Sequence, residues 1–148
     1  MHRDGKGRIT RVCDMGSTAG AVALAAGGRL YLAQQGSIYT VKSGETPRLI
    51  MDGFGLIFGL ALDDRGRLIV ADWKNGRVFR IEGKRRKLLA RGLEYPSGLA
   101  LDRAGNLYIK ESGRHTRKDA TIRRLDKQGR LTLFATIPTR TRFKARSR

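Results

Sequence analysis

A self-repeat with a period near 39 residues limits this chain's fold more than any other feature of the sequence. The segment Ala21 to Leu32 aligns with Gly59 to Val70 and again with Gly98 to Ile109, and Leu30, Leu68 and Leu107 hold the same place, 38 and 39 positions apart. A period of roughly 20 to 50 residues marks an array in which each unit buries its apolar face only against a neighbour.

Each unit continues in the same way. Gly36 to Val41, Gly76 to Ile81 and Thr121 to Leu125 alternate apolar and polar side chains as strands do, and Arg48 to Met51, Lys87 to Ala90 and Leu131 to Ala135 add a fourth apolar stretch. Turn residues fall between them. Asp63-Asp64-Arg65-Gly66, Asp102-Arg103-Ala104-Gly105 and Asp126-Lys127-Gln128-Gly129 put Asp first and Gly fourth, the preferred ends of a type I turn, and Asn75-Gly76 is a hairpin signal. No long apolar pattern at helical spacing occurs. Four short strands in about 40 residues make one propeller blade, so the expected fold is all-β: a partial, open β-propeller of about three blades.

The units predicted are 20–58, 59–97 and 98–138, within a propeller portion of 1–138. An incomplete blade lies at 5–16, because Gly7 to Val12 matches Gly76 to Ile81, and a basic tail follows at 139–148. The predicted core comprises Leu60, Leu62, Leu68, Val70, Val78, Ile81, Leu99, Leu101, Leu107 and Ile109. A chain that begins inside a blade and ends after three more presents raw sheet edges, and self-association through open sheet edges is expected.

Charge comes next, because it bears on partners. Lys plus Arg number 31 against 13 Asp plus Glu, a formal net charge of +18. Such a balance attracts polyanions. Placement argues for a more ordinary origin of much of it: Arg8, Arg11, Arg67, Arg77, Arg80 and Arg130 alternate with apolar residues, as solvated positions of half-buried strands do. Cations are locally dense only at Lys84-Arg85-Arg86-Lys87, from Arg114 to Arg124, and from Arg140 to Arg148. The first of these is the candidate anion-binding cluster, with nucleic acid as the minor reading. A lone Cys13 with His2 and His115 gives no zinc-ligand spacing. The N-terminus has no signal-peptide pattern and no apolar run is long enough to span a bilayer, so a cytoplasmic chain without a membrane span is expected.

Tyr95-Pro96-Ser97-Gly98-Leu99-Ala100-Leu101-Asp102, followed by Gly105-Asn106-Leu107-Tyr108-Ile109, resembles the blade motif of the senescence marker protein/gluconolactonase-like propellers. NHL-repeat and strictosidine-synthase-like propellers are similar. The likeness runs from Gly7 to about Ile137 and is one of blade structure, which hosts unrelated activities. It implies lactone or ester hydrolysis as the family activity, with a calcium-type metal held by Asp, Asn or Glu at the start of each innermost strand. The matching positions here are Gly20, Phe58 and Ser97, which lack such ligands. No cofactor is therefore evident, and a divalent metal is expected only if other blades supply its ligands.

Among the acids, Asp63, Asp102 and Asp126 read as turn residues. Asp72 and Glu111 end the second strand of their units, where Gln34 stands in the first; they read as strand-end polar groups or as rim groups facing a cation or basic ligand. Trp73 and Tyr95 read as packing between blades or as a platform for a small-molecule ligand. His115 sits in the longest insertion, Glu111 to Asp119, and long loops on rigid scaffolds often carry binding residues. The candidate rim is thus Phe58, Asp72, Trp73, Tyr95, Ser97, Glu111 and His115. Three function classes follow: a piece of a gluconolactonase-like hydrolase, an NHL-type binding module for an acidic partner or RNA, and a truncated product without activity.

Overall fold

The computed structural model describes residues 2–3, 9–10, 19–113 and 119–138. Its strand ends are set by the Asp turns. The carbonyls of Asp63, Asp102 and Asp126 accept the amides of Gly66, Gly105 and Gly129 at 3.0, 3.1 and 3.0 Å. Each Asp side chain adds a second clamp by accepting the amide four residues on, from Arg67, Asn106 and Arg130. Such side-chain bonds to the local backbone close a turn before helix or sheet can continue through it.

A strand pair, β1 (His2–Arg3) with β2 (Ile9–Thr10), precedes three four-stranded antiparallel sheets whose strands follow chain order. Blade 1 is β3 (Ala19–Leu24), β4 (Leu30–Gln34), β5 (Ser37–Val41) and β6 (Arg48–Met51). Blade 2 is β7 (Ile57–Leu62), β8 (Leu68–Asp72), β9 (Arg77–Glu82) and β10 (Arg85–Ala90). Blade 3 is β11 (Pro96–Leu101), β12 (Leu107–Glu111), β13 (Ala120–Leu125) and β14 (Leu131–Ile137). Registers repeat: Leu24 faces Leu30, Leu62 faces Leu68 and Leu101 faces Leu107. Each first strand carries an irregularity near its start, between Ala19 and Ala21, Ile57 and Gly59, and Pro96 and Leu99. No α-helix occurs among the described residues. The fold is a partial, open propeller.

Two cores join the blades in series. Between blades 1 and 2, Ala33 and Ile38 meet Leu68, Val70 and Phe79, with Leu60, Leu62 and Ile81 packed around them. Between blades 2 and 3, Ile69, Ala71 and Val78 meet Leu107, Ile109 and Leu125, with Leu99 and Leu101 alongside. All ten expected core residues lie in these two clusters. Blade 2 also buries residues that a one-faced reading misses: β8 is buried at every position, because a blade lies against each of its faces.

That double burial corrects the reading of two arginines. Arg77 and Arg130 are exposed, as strand alternation suggested. Arg67 and Arg80 instead line the gap between blades 2 and 3, where Asp63 holds Arg67 at 2.7 Å and Glu82 holds Arg80 at 2.6 Å. Around β8 both faces of blade 2 are inner faces, so alternation there separates one gap from the other and not protein from water.

Residues 5–8 and 11–16 of the expected incomplete blade, the loop containing His115 and the basic tail lie outside the described residues.

Candidate functional site

The rim is built where β7 and β11 begin and β8 and β12 end. Ile57 pairs with Asp72, and Pro96 pairs with Glu111, so the two acids occupy equivalent places in successive blades. Both are buried, at 2% exposure each. Their oxygens are occupied by the chain itself. Asp72 Oδ2 accepts the Gly55 amide at 3.0 Å and Asn75 Nδ2 at 2.9 Å, while Oδ1 accepts the amides of Leu56 and Asn75, both at 3.3 Å. Glu111 Oε2 accepts the Glu94 amide at 2.7 Å, and Oε1 accepts Thr121 Oγ1 at 3.2 Å and Arg123 Nε at 2.7 Å. Each acid thereby pins the loop leading into its own blade, since a buried carboxylate persists only where donors replace its water.

The pinned loops carry aromatic rings. Phe58 meets Trp73 edge to face with centroids 5.3 Å apart, and Trp73 lies against Tyr95 at 4.3 Å with a 32° tilt. The Trp73 amide donates to the Leu56 carbonyl at 2.7 Å and the Ser112 amide to the Tyr95 carbonyl at 3.3 Å, which fixes both backbones. Tyr95 has φ of 52°, a left-handed conformation that costs a non-glycine residue about 1–2 kcal/mol. Residues held this way concentrate at functional sites. Phe58 is 44% exposed while Trp73 and Tyr95 are half-buried, so the trio offers one open ring backed by two supported ones. Ser97 is half-buried on β11, its carbonyl directed at Gly59 of blade 2.

The structure therefore gathers Phe58, Trp73 and Tyr95 into one surface and withdraws Asp72 and Glu111 beneath it. The positions that match the family's metal ligands, Gly20, Phe58 and Ser97, bring no carboxylate or amide side chain, so they do not fit a calcium-type ion. Among the described residues, no three His, Cys, Asp or Glu side chains group closely enough to hold a metal.

The candidate anion-binding run divides. Lys84 lies in the β9–β10 turn, and Arg85 and Lys87 are exposed on β10. Arg86 is engaged: its guanidinium lies over the Phe54 ring at 4.2 Å and donates to the Asp52 carbonyl at 2.8 Å. It holds the blade 1–2 connection, which leaves Lys84 and Arg85 outward and Lys87 exposed at the edge of the gap between blades 2 and 3. No described helix is long and apolar enough to cross a membrane.

At the opposite end of the sheets the turn acids are electrostatically set. For Asp63, burial pushes the carboxyl up, but the Arg67 and Arg65 amides and the Arg67 guanidinium outweigh it and leave it below its ordinary 3.8. Bonds from the Asn106 side chain and amide lower Asp102, and the Arg130 amide and guanidinium lower Asp126. A depressed folded-state pKa contributes stability that is complete above the ordinary value and lost as pH falls through the lower one. Urea midpoints should thus hold steady down to about pH 5 and drop below about pH 4. The triple variant D63N/D102N/D126N keeps an oxygen for each turn amide and should show a shallower acid limb. An unchanged limb would place the acid sensitivity elsewhere.

No family model and no curated protein matches the sequence. Solved structures do. A gluconolactonase from Xanthomonas campestris superposes with a TM-score of 0.73 at 18% identity, over 83% of this chain and 49% of that one. The nidogen propeller, solved in a nidogen/laminin complex, gives 0.70 at 24% identity over 80% and 48%. Virginiamycin B lyase from Staphylococcus aureus gives 0.65 at 14% identity over 88% and 46%. The chain spans about half the length of each. What the likeness establishes is the fold: this chain is built as the blades of these propellers are.

Proposed function

We propose that these blades are the ligand-recognition part of a gluconolactonase-like propeller and that Phe58, Trp73 and Tyr95 form the wall against which a small cyclic ester or lactone lies. The observation that carries this reading is the exposed Phe58 ring, backed by Trp73 and by a Tyr95 held in a left-handed conformation. Aromatic faces give large apolar contact at low conformational cost, and a rim preset by Asp72 and Glu111 needs little ordering when a ligand arrives. The two acids serve as positioning residues. With every oxygen already accepting a bond, neither is a free general base, and no hydrolytic step is assigned to the described blades.

Trp73 is the only tryptophan of the chain and sits inside the proposed site, so its fluorescence reports occupancy directly. Titration with dihydrocoumarin, an aromatic lactone, and with glucono-δ-lactone is expected to change Trp73 emission saturably. Phe58→Ala, at an exposed position, should weaken binding about tenfold, since an aromatic contact of this kind is worth roughly 1 kcal/mol beyond the area it buries. No saturable change up to millimolar ligand, or equal affinity in the variant, would refute the wall. Acid release followed on the same samples separates binding from turnover.

A further inference from the structure

At the far end from the aromatic rim, blades 2 and 3 part to leave a cleft of about 690 Å³. That is within the range of small-molecule sites, roughly 300–1,000 Å³. Its floor is apolar: Leu101, Leu107 and Leu125 of blade 3 face Ile69 of blade 2, with Leu88 and Leu89 beside them. Its mouth is cationic. Arg65, Lys87, Arg103 and Lys127 line it, and none of these four side chains makes an ion pair among the described residues.

The acids that line the cleft do not pair with them, and Glu82, which attracts Lys87, is itself held by Arg80. Asp63 is held by Arg67 and its own turn amides, Asp102 by Asn106 and Tyr108, and Asp126 by Arg130 and its turn amides. Asp64, exposed in the β7–β8 turn, is the remaining acid at the mouth. The facing sides of blades 1 and 2 differ here at one repeat position. Pairing places Thr40 and Arg48 of blade 1 where blade 2 has Arg80 and Lys87. Thr40 is buried and donates back to the Leu30 carbonyl at 3.1 Å. Blade 2 has Arg80 in place of Thr40, beside the cation that both blades carry at the Arg48/Lys87 position, and holds Arg80 on Glu82.

We infer that this cleft binds a small amphiphilic anion, an apolar body bearing one carboxylate, with the body on the leucine floor and the head between Lys87, Arg103 and Lys127. An apolar floor alone would take a neutral body as well, and exposed cations alone would take any anion; the two together select a molecule with both parts. The site lies apart from the aromatic rim and does not depend on what that rim binds.

Calorimetric titration of the whole chain with decanoate tests it, with acetate and decyl glucoside as probes of head and tail alone. Saturable decanoate binding with a stoichiometry of one is expected, together with at least tenfold weaker binding of both comparators. Octanoate should bind about tenfold more weakly than decanoate, because a buried methylene is worth several-fold in affinity. The variant Lys87→Glu/Arg103→Glu should lower decanoate affinity at least tenfold, whereas Lys84→Glu/Arg85→Glu, with the same charge change outside the cleft, should change it less than threefold. The inference is overturned if acetate or the glucoside matches decanoate, if decanoate does not bind, or if both double variants lose affinity equally.

Discussion

The double variant Val22→Asp/Leu24→Asp is expected to sediment as a monomer under conditions where the unsubstituted protein self-associates. Ala21 and Ala23 of β3 pack towards blade 2, so Val22 and Leu24 point the other way, and they are 59% and 67% exposed. Leu49 on the same face of blade 1 is 47% exposed. The equivalent positions of the next two blades are Leu60 and Leu62, then Leu99 and Leu101, and in both cases these pack on the preceding blade. Among the described residues, blade 1 thus presents the half of an inter-blade interface that the other blades fill internally.

We propose that a second copy covers this face, because blades pack face against face and an apolar blade face offers more area to a partner than the narrow open edge of a sheet does. Burying Val22 and Leu24 should contribute about 1.5–3 kcal/mol each, so two aspartates should weaken association at least a hundredfold. The net charge of +18 opposes contact, and added salt, by screening it, should favour association. Sedimentation velocity over a dilution series at two salt concentrations reads all of this. A parent protein that stays monomeric throughout, or a variant that associates as readily, would contradict it.

Much of the fold was legible because the information is local and repeated three times. The Asp-to-Gly turns close through short-range bonds from the Asp side chain, and alternation fixes which residues of the flanking strands share a face. Tertiary context was less legible. Ile69 and Ala71 are absent from the expected core, yet both are buried, because blade 3 packs on the face of β8 opposite to blade 1.

The candidate rim was legible in part for a related reason. Equivalence of Asp72 and Glu111 follows from the repeat, but the occupation of their oxygens depends on Gly55, Leu56 and Glu94, loop amides with no sequence signature. Phe58 and Trp73 meet within blade 2, but the contact of Trp73 with Tyr95 spans two blades, and only the packing of blade 2 on blade 3 brings that ring in. Arg86 looked like one of four equal cations; its stacking on Phe54 joins residues 32 positions apart, and no local pattern encodes it. The cleft between blades 2 and 3 was missed, although one signal was present: Arg80 stands at a repeat position that blade 1 fills with Thr40.

The serial packing of blades makes its sharpest prediction at two glycines. Gly59 and Gly98 follow Phe58 and Ser97 in equivalent strands, and neither needs a left-handed backbone. A methyl group on Gly59 would overlap the Ser97 carbonyl of the next blade, whereas one on Gly98 would meet nothing nearer than the Lys110 side chain at 3.5 Å. The measurement is urea unfolding of Gly59→Ala beside Gly98→Ala. The account predicts a loss of about 1–3 kcal/mol or more for Gly59→Ala, from forcing two backbones apart. For Gly98→Ala it predicts no loss, or a gain of up to about 1 kcal/mol from the stiffer unfolded chain. Equal losses at both positions, or a larger loss at Gly98, would contradict a fold in which blade 3 packs on blade 2 through Gly59 while Gly98 meets no other blade among the described residues.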